Sequence, residues 1–213
     1  YSGRRIVQHA NFSSEAWIDT ARSERVTQAM VVPTMLGRIV DALDRSGEVD
    51  LPHLRAISYG GAKMPQAVIE RAMDLLPQVE FTNAYGLTET SSTITVLTPD
   101  DHRRAAGSDD PSVRRRLTSL GTALPSVQIE IRGESGEPVQ AGEWGEIHVR
   151  GEQISGEYLD QGSRLDQGWF PTRDRGSLDA AGYLFLEGRS DDIIVRGGEN
   201  ISPVDIESVL SLH

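Results

Sequence analysis

The sequence contains no cysteine among its 213 residues. Without thiols the chain can form neither a disulfide framework nor a zinc–thiolate site, and this composition fits a cytoplasmic enzyme. The sequence also lacks a run of about 18 to 20 apolar residues, which a membrane-spanning helix needs. Its first residues show no charged segment followed by an apolar one, so a secretion signal is not indicated.

Positive charge is also in deficit. Lysine and arginine number 21 against 32 aspartate and glutamate residues, and the formal net charge is −11 at pH 7. Because nucleic acids and anionic membranes are bound by clustered cations, this balance argues against both as partners. A nucleotide remains possible as a ligand, since backbone N–H groups can hold phosphates. The length allows one or two domains with a sizeable core.

Strand-like and helix-like patterns alternate through roughly the first hundred residues. The helices are predicted from side-chain caps, N-terminal prolines and apolar residues at helical spacing. This alternation predicts an α/β fold with a parallel sheet and covering helices. The predicted elements are helices from Ser13 or Ser14, Pro33 and Pro65, and strands at 28–32, 55–59 and 79–82.

The pattern changes after a polar stretch at 99–116, which is predicted to be a long surface loop. From 127 to 186 apolar and polar residues alternate with period two, and glycine turns separate the runs. This alternation predicts antiparallel β structure, a small barrel or sandwich. A further strand is predicted at 193–195, and a capping box followed by proline predicts a helix from Ser202.

The octet at 83–90, Asn-Ala-Tyr-Gly-Leu-Thr-Glu-Thr, follows the third predicted strand, where open α/β sheets bind ligands. Tyr85 offers a flat face to a ring, and Gly86 permits close approach of a ligand. Thr88 offers a hydroxyl to a phosphate oxygen, and Glu89 offers a hard oxygen ligand to Mg²⁺. The alternative is a tight turn with a packed tyrosine and a solvated Thr-Glu-Thr.

Four further segments carry candidate chemistry. A Gly-Gly-Ala turn at 60–62 ends a strand and precedes a helix, a position that favours anions, although it also fits an ordinary β–α turn. Asp174, in the sequence Thr-Arg-Asp, can accept two hydroxyl bonds from a ribose diol, or can simply be a surface residue in a turn. A Gly-Arg-Ser-Asp-Asp turn at 188–192 and a Gly-Gly loop at 197–198 follow.

These motifs, in this order, resemble those of the adenylate-forming superfamily, in its acyl- and aryl-CoA synthetase branch, and the resemblance covers nearly the whole chain. It implies that Tyr85 stacks on adenine and Asn83 binds the adenine amino group. Thr88 and Glu89 become the catalytic residues: Thr88 bonds the α-phosphate, and Glu89 ligates the metal. Gly86 would line the nucleotide site and, with Ala84, the path of the carboxylate substrate.

The resemblance assigns the remaining motifs as well. Asp174 would bind the ribose hydroxyls, although Arg173 stands where the family usually has glycine, and a positive φ there would strain an arginine. Arg189 would also contact the ribose. The other assigned residues are Gly60, Gly61 and Ala62 on the second adenine face, Asp191 as the hinge pivot, and Gly197 and Gly198 at the CoA channel.

The implied organisation is that of an incomplete adenylation enzyme. Residues 1–116 would be part of the α/β subdomain of the large domain, 117–188 its β-barrel subdomain, 189–192 the hinge, and 193–213 the start of the C-terminal domain. The family's phosphate loop and catalytic lysine have no counterpart here; the single lysine, Lys63, lies in the Gly-Gly-Ala block. We therefore expect a chain truncated at both ends and inactive alone.

The implied reaction is ATP-dependent activation of a carboxylic acid, fatty or aryl, to acyl-AMP and then to an acyl-CoA thioester. Its ligands are ATP or AMP, Mg²⁺, coenzyme A and the acid. The Gly-Gly-Glu-Asn sequence at 197–200 favours a CoA ligase over an adenylation domain that loads a carrier protein. A non-catalytic nucleotide-binding fragment is the third alternative, and the missing phosphate loop supports it.

Overall fold

The computed structural model describes residues 3–154 and 165–189 in full, and beyond them only strand backbone at 157–158, 162–163, 194–196 and 199–201. The chain divides into two compact units, Tyr1–Thr82 and Asn83–His213. The helix predicted from Ser202 lies outside the described residues.

The first unit alternates helices and strands as predicted. Ser13 caps the first helix, because its hydroxyl accepts a hydrogen bond of 3.1 Å from the backbone N–H of Ala16. Proline 33 occupies the first position of the second helix, where its missing N–H costs nothing. The elements are α1 (Ser14–Ser23), β1 (Gln28–Val31), α2 (Pro33–Ser46), β2 (Ala56–Tyr59) and α3 (Gln66–Leu75).

The sheet of this unit is parallel where β1 pairs with β2, in the register Gln28 with Ala56 through Val31 with Tyr59. Beside β2, the N–H of Glu80 donates to the carbonyl of Arg55 over 2.8 Å. Apolar residues at helical spacing on α2 and α3 are buried, which confirms the predicted inward faces. The fully buried side chains of the unit include Leu36, Ile39, Leu43, Ile57, Ile69 and Leu76.

One strand, β3 (Glu80–Leu87), begins in the first unit and continues in the second. The expected end of this strand at residue 82 is wrong. Phe81, Asn83 and Tyr85 are buried in turn, so period-two burial continues through the octet instead of stopping before it. A 3₁₀ turn (Thr88–Thr90) then leads into β4 (Ser92–Leu97), which pairs antiparallel with β3.

The predicted surface loop at 99–116 is wrong. It forms α4 (Pro99–Ala106), α5 (Pro111–Arg114) and a second 3₁₀ turn (Arg115–Thr118). The hydroxyl of Thr98 accepts from the N–H of Asp101, and the Asp101 carboxylate accepts from the N–H of Thr98. This reciprocal cap, with proline next to it, starts a helix despite the density of charge around it.

No helix within the described residues is long and apolar enough to cross a membrane.

The rest of the second unit is antiparallel, as predicted from the period-two pattern. A short strand, β5 (Thr122–Ala123), pairs with β4. A separate four-stranded antiparallel sheet has the order β11-β10-β7-β6. Its closure into a barrel and the four predicted domain ranges remain predictions. The strand bounds are β6 (Val127–Arg132), β7 (Gly145–Gly151), β8 (Glu157–Tyr158), β9 (Gly162–Ser163), β10 (Phe170–Leu178), β11 (Leu184–Arg189), β12 (Ile194–Arg196) and β13 (Glu199–Ile201).

Buried His102 on α4 makes the stability of the protein depend on pH. Its Nδ1 lies 2.8 Å from the carbonyl oxygen of Thr98, and burial lowers its pKa below the ordinary 6.5, although Asp101 opposes the shift. The stabilisation is therefore complete above pH 6.5 and is lost as the pH falls below that value, because the unfolded chain takes up a proton that folded His102 resists.

The variant His102→Gln should lose less stability than the parent between pH 7.5 and pH 5.5, as measured by the midpoint of urea unfolding. Some pH dependence should remain, because burial also lowers the pKa of His148. Identical slopes for variant and parent would show that His102 has the same pKa in the folded and unfolded states and so contributes nothing to the pH dependence.

Candidate functional site

Three residues singled out from separate sequence motifs meet in the second unit. The hydroxyl of Tyr85 on β3 donates to Oδ2 of Asp174 on β10 over 2.6 Å. Nε of Arg189, at the end of β11, lies 3.7 Å from Oδ1 of the same carboxylate. The strand register places Asp174 directly opposite Arg189. The structure therefore brings together the side chains of the Tyr-Gly, Thr-x-Asp and Gly-Arg motifs.

The carboxylate of Asp174 is a buried hydrogen-bond acceptor in the second unit. Asp174 is 6% exposed, and Tyr85 is 9% exposed among the apolar side chains of the unit. The pKa of the Tyr85 hydroxyl is raised, first by burial and then by the charge of Asp174, so the phenol stays protonated and donates.

A bulge in β10 positions Asp174. Pro171 lies opposite His148 and Arg175 opposite Glu146, so three residues of β10 face a single residue, Ile147, of β7. The bulge is stabilised by Thr172, whose hydroxyl donates to the Ile147 carbonyl over 2.8 Å and accepts from the N–H of Asp174 over 3.1 Å. Thr172 is buried, so these bonds are shielded from water.

Arg173, at the tip of this bulge, has a φ of 62°. The condition under which an arginine at this position would be strained, a positive φ, is therefore met in this chain. Its N–H donates to the carboxylate of Glu146 over 3.2 Å, which holds the tip against β7. A left-handed conformation costs a residue with a β-carbon about 1–2 kcal/mol, so arginine is strained at this position.

Asn83 is buried two residues before Tyr85. Its Nδ2 donates to the carbonyl of Ser119 over 3.1 Å. Its Oδ1 is buried and has no hydrogen-bond partner among the described residues. A buried acceptor without a partner costs free energy, so it calls for an explanation such as a missing ligand.

The turn that carries Thr88 and Glu89 is organised by Thr90, which is fully buried. The Thr90 hydroxyl accepts from the N–H of Leu87 and lies within 2.9 Å of the Leu87 carbonyl and 2.7 Å of the Ser92 carbonyl. Thr88 itself is exposed and Glu89 is half-buried. The turn therefore presents Thr88 from a rigid base.

Gly86 is explained by the chain itself. A β-carbon at this position would lie 2.0 Å from the carbonyl oxygen of Ser92, so only glycine fits. The sequence predicts that a ligand approaches the backbone at this glycine, but in the structure the close approach is made by the backbone of β4. Its role in nucleotide binding stays a prediction.

Gly60, Gly61 and Ala62 lie in the first unit, directly after β2. Gly61 has a φ of 86°, which accounts for one of the two glycines without a ligand. The same unit contains a cavity of about 880 Å³ between the N-terminal segment, α1 and β1. Its lining includes Trp17 and Met30 but none of the residues assigned from the motifs.

Three predicted residues cannot be placed, because Asp191, Gly197 and Gly198 lie outside the described residues. In the described part of the chain, no group of three or more His, Cys, Asp or Glu side chains is arranged to hold a metal ion. Glu89 as a metal ligand therefore stays a prediction that depends on oxygen atoms supplied by a substrate.

Sequence reasoning missed the residues that hold the site residues in place. Thr172 belongs to the Thr-x-Asp motif, but the sequence analysis gives a role only to Asp174. Glu146 and Gln153 carried no local signal, since they act on segments 27 and at least 60 residues away. Such long-range contacts cannot be deduced from spacing in one sequence.

A family model described as AMP-binding enzyme matches residues 1–159. The chain therefore belongs to the AMP-binding enzyme family, and the predicted resemblance to adenylate-forming enzymes is confirmed.

Two relatives indicate the chemistry of the group. An indoleacetate–CoA ligase from Aromatoleum aromaticum is 34% identical over 214 residues, which cover 98% of this chain and 39% of the relative. A 2-succinylbenzoate–CoA ligase from Bacillus licheniformis is 34% identical over 99% of this chain and 41% of its own length. The chain thus spans about two fifths of the length of the relatives it matches.

Solved structures share the fold. The amide bond synthetase McbA from Marinactinospora thermotolerans matches with a TM-score of 0.76 and 34% identity, over 95% of this chain and 39% of that protein. The O-succinylbenzoate CoA synthetase MenE from Bacillus subtilis, in complex with ATP and magnesium ion, matches with a TM-score of 0.75 and 30% identity, over 95% and 40%. These matches confirm the predicted α/β fold with an added antiparallel sheet.

The variant Arg173→Gly should be more stable than the parent by about 0.5–1 kcal/mol, because glycine removes the left-handed strain but loses more chain entropy on folding. Denaturant unfolding measures this difference. Arg173→Ala is the matched control: it removes the same guanidinium but keeps the β-carbon, so it should gain nothing. Equal stabilisation by both variants would assign the effect to the side chain and not to φ.

Proposed function

We propose that the full-length protein activates a carboxylic acid with ATP to form an acyl-adenylate, and then transfers the acyl group to coenzyme A. Membership of the AMP-binding enzyme family supports the adenylation step. The observation that carries the proposal is that Tyr85 and Arg189 both contact the carboxylate of Asp174. A buried, oriented acceptor beside an aromatic ring and a cation suits an adenosine.

Asp174 would accept hydrogen bonds from the ribose hydroxyls. Tyr85 binds one carboxylate oxygen at 2.6 Å, which holds the carboxylate in a defined orientation. Bonds to a charged acceptor are about twice as strong as neutral ones, which suits the discrimination of a sugar in water. Arg189, whose side chain is 55% exposed, is free to swing onto the ribose.

Two further residues fit the nucleotide. The unpaired Oδ1 of Asn83 would accept from the exocyclic amino group of adenine, which would satisfy the orphaned acceptor. Exposed Thr88 would donate to the α-phosphate, where negative charge develops during the attack of the substrate carboxylate. Neither role needs a covalent bond to the protein.

The carboxylate of Glu89 is the kind of ligand by which proteins usually bind Mg²⁺. Mg²⁺ is commonly held by one or two carboxylates together with substrate phosphates, and Glu89 is a half-buried carboxylate beside an exposed hydroxyl. When bound, the ion would neutralise phosphate charge. Glu89 and Thr88 would hold the triphosphate between them.

The other assignments complete the proposal. Gly60, Gly61, Ala62 and Ala84 would border the adenine and the acid, and Gly197 and Gly198 would border the CoA channel. Asp191 would be the pivot between the two half-reactions, with 1–116, 117–188 and 193–213 as the parts of the two domains that it joins. The support for these roles is the family resemblance.

We propose an aromatic or arylalkyl acid as the substrate in preference to a fatty acid. The support is the nature of the relatives, which are named for indoleacetate and 2-succinylbenzoate. Screening a panel of such acids against alkanoic acids of matched length in the ATP–pyrophosphate exchange reaction would identify the class.

A second function is favoured by one observation. McbA, with 34% identity and the same fold, is an amide bond synthetase, so the adenylate here could pass to an amine in place of CoA. Incubating the full-length protein and its preferred acid with CoA, a panel of amines or a carrier protein separates the alternatives. Thioester on CoA is the expected product; amide or carrier-bound product alone would replace our proposal.

The variant Asp174→Asn in the full-length protein should raise the KM for ATP in acid-dependent pyrophosphate exchange by about 10- to 100-fold, because a charge-assisted bond of roughly 1.5–3 kcal/mol is lost. The penalty should shrink with 2′- or 3′-deoxy-ATP, which lack one of the hydroxyls. The KM for the acid should change little.

The control for this experiment is Asp179→Asn, which removes a negative charge elsewhere in the same unit, beside Arg116. Its KM for ATP should equal that of the parent. A full penalty for Asp174→Asn with both deoxynucleotides would contradict ribose recognition by this carboxylate.

A further inference from the structure

The side chain of Gln153 reaches the backbone that follows the Thr-Glu turn. It lies in the turn directly after β7, and its Nε2 donates to the carbonyl of Thr93 over 2.8 Å and to the carbonyl of Thr90 over 3.2 Å. One amide nitrogen thus holds both ends of the segment 90–93.

That segment is the strained part of the turn. Ser91 has a φ of 53° and Ser92 a φ of 130°, and neither is glycine. Conformations of this kind cost about 1–3 kcal/mol each and persist only where the surroundings impose them. Two side chains supply that constraint. Gln153 binds the carbonyls of Thr90 and Thr93, and the buried hydroxyl of Thr90 binds the carbonyl of Ser92.

We propose that Gln153 is a positioning residue that fixes the turn on which Thr88 and Glu89 are presented to the phosphates and the metal. The inference rests on the proposed function of those two residues. Gln153 would act through the backbone carbonyls of Thr90 and Thr93. Its action requires a donor: a primary amide carries two N–H groups on one nitrogen, which matches two carbonyl acceptors.

If Gln153 served only to fill space, the size of its side chain would matter and its N–H donors would not. Gln153 is half-buried, so methionine, of similar length and without a donor, would pack in the same place. Glutamate, of the same shape, would bring a negative charge to two carbonyl oxygens. The two variants therefore separate packing from hydrogen bonding.

The experiment compares Gln153→Met and Gln153→Glu in the full-length protein by pyrophosphate exchange, with kinetics normalised to folded protein. Because a small displacement of catalytic groups is costly, kcat should fall by about 10- to 100-fold. The Mg²⁺ concentration for half-maximal rate should rise several-fold, while the KM for the acid stays within about twofold.

Gln128→Met is the matched control. Gln128 lies on β6 and accepts a hydrogen bond of 2.8 Å from Arg150, and no hydrogen bond within the described residues joins it to the turn. It should leave all three parameters unchanged. If the Gln153 variants fold poorly, Gln153→Asn keeps the amide but cannot span both carbonyls, and should show an intermediate loss.

The inference is overturned if Gln153→Met lowers the thermal midpoint but leaves kcat and the Mg²⁺ requirement of the folded fraction unchanged. Glu89→Gln tests the underlying proposal separately, because it should raise the Mg²⁺ requirement directly. If Glu89→Gln needs the same Mg²⁺ concentration as the parent for its half-maximal rate, the role of Glu89 is rejected. If Glu89→Gln needs more Mg²⁺ while Gln153→Met behaves like the parent, only the positioning role of Gln153 is rejected.

Discussion

The hydrogen bond from Tyr85 to Asp174 is the interaction on which the rest of the site depends. It joins β3 to β10, two strands that belong to different sheets of the second unit. A carboxylate that is 6% exposed is tolerated only with partners, since an unpaired buried charge costs several kcal/mol. The pair therefore fixes where the Tyr-Gly motif lies relative to the Thr-x-Asp motif, and the positions of the neighbouring site residues follow from it.

Backbone strain and its compensation occur side by side in this unit. Arg173 in β10 and the two serines after the Thr-Glu turn have positive φ without being glycine. At each place side chains bind the adjoining backbone: Thr172 within the bulge and Glu146 from β7 at the first, and Gln153 at the turn. Strain that the surroundings impose in this way is common at functional sites, where catalytic groups must be held within a narrow geometry.

Sequence patterns predicted the elements whose signals are local. The proline at position 33, the cap at Ser13 and the alternation in β6 each specify one element through nearby residues. The helices at 99–114 were missed because charge was given more weight than the Thr98–Asp101 cap. The end of β3 was missed because a motif was taken to interrupt the strand. Tyr85, Asp174 and Arg189 could be found from motifs, but Thr172 and Gln153 act through contacts that only the folded chain creates.

The unequal strength of the two contacts to Asp174 suits a site beside a proposed hinge. The bond to Tyr85 is short and buried, so breaking it would leave a buried charge unpaired. The contact with Arg189 is 3.7 Å long, and the Arg189 side chain is 55% exposed, so water can replace the carboxylate as its partner. Arg189 can therefore leave the carboxylate at little cost, whereas Asp174 cannot leave Tyr85. If the chain pivots just after Arg189, as we propose, the acceptor for the ribose stays in place while the cation moves with the hinge. The loose pair is then the part of the site that allows motion.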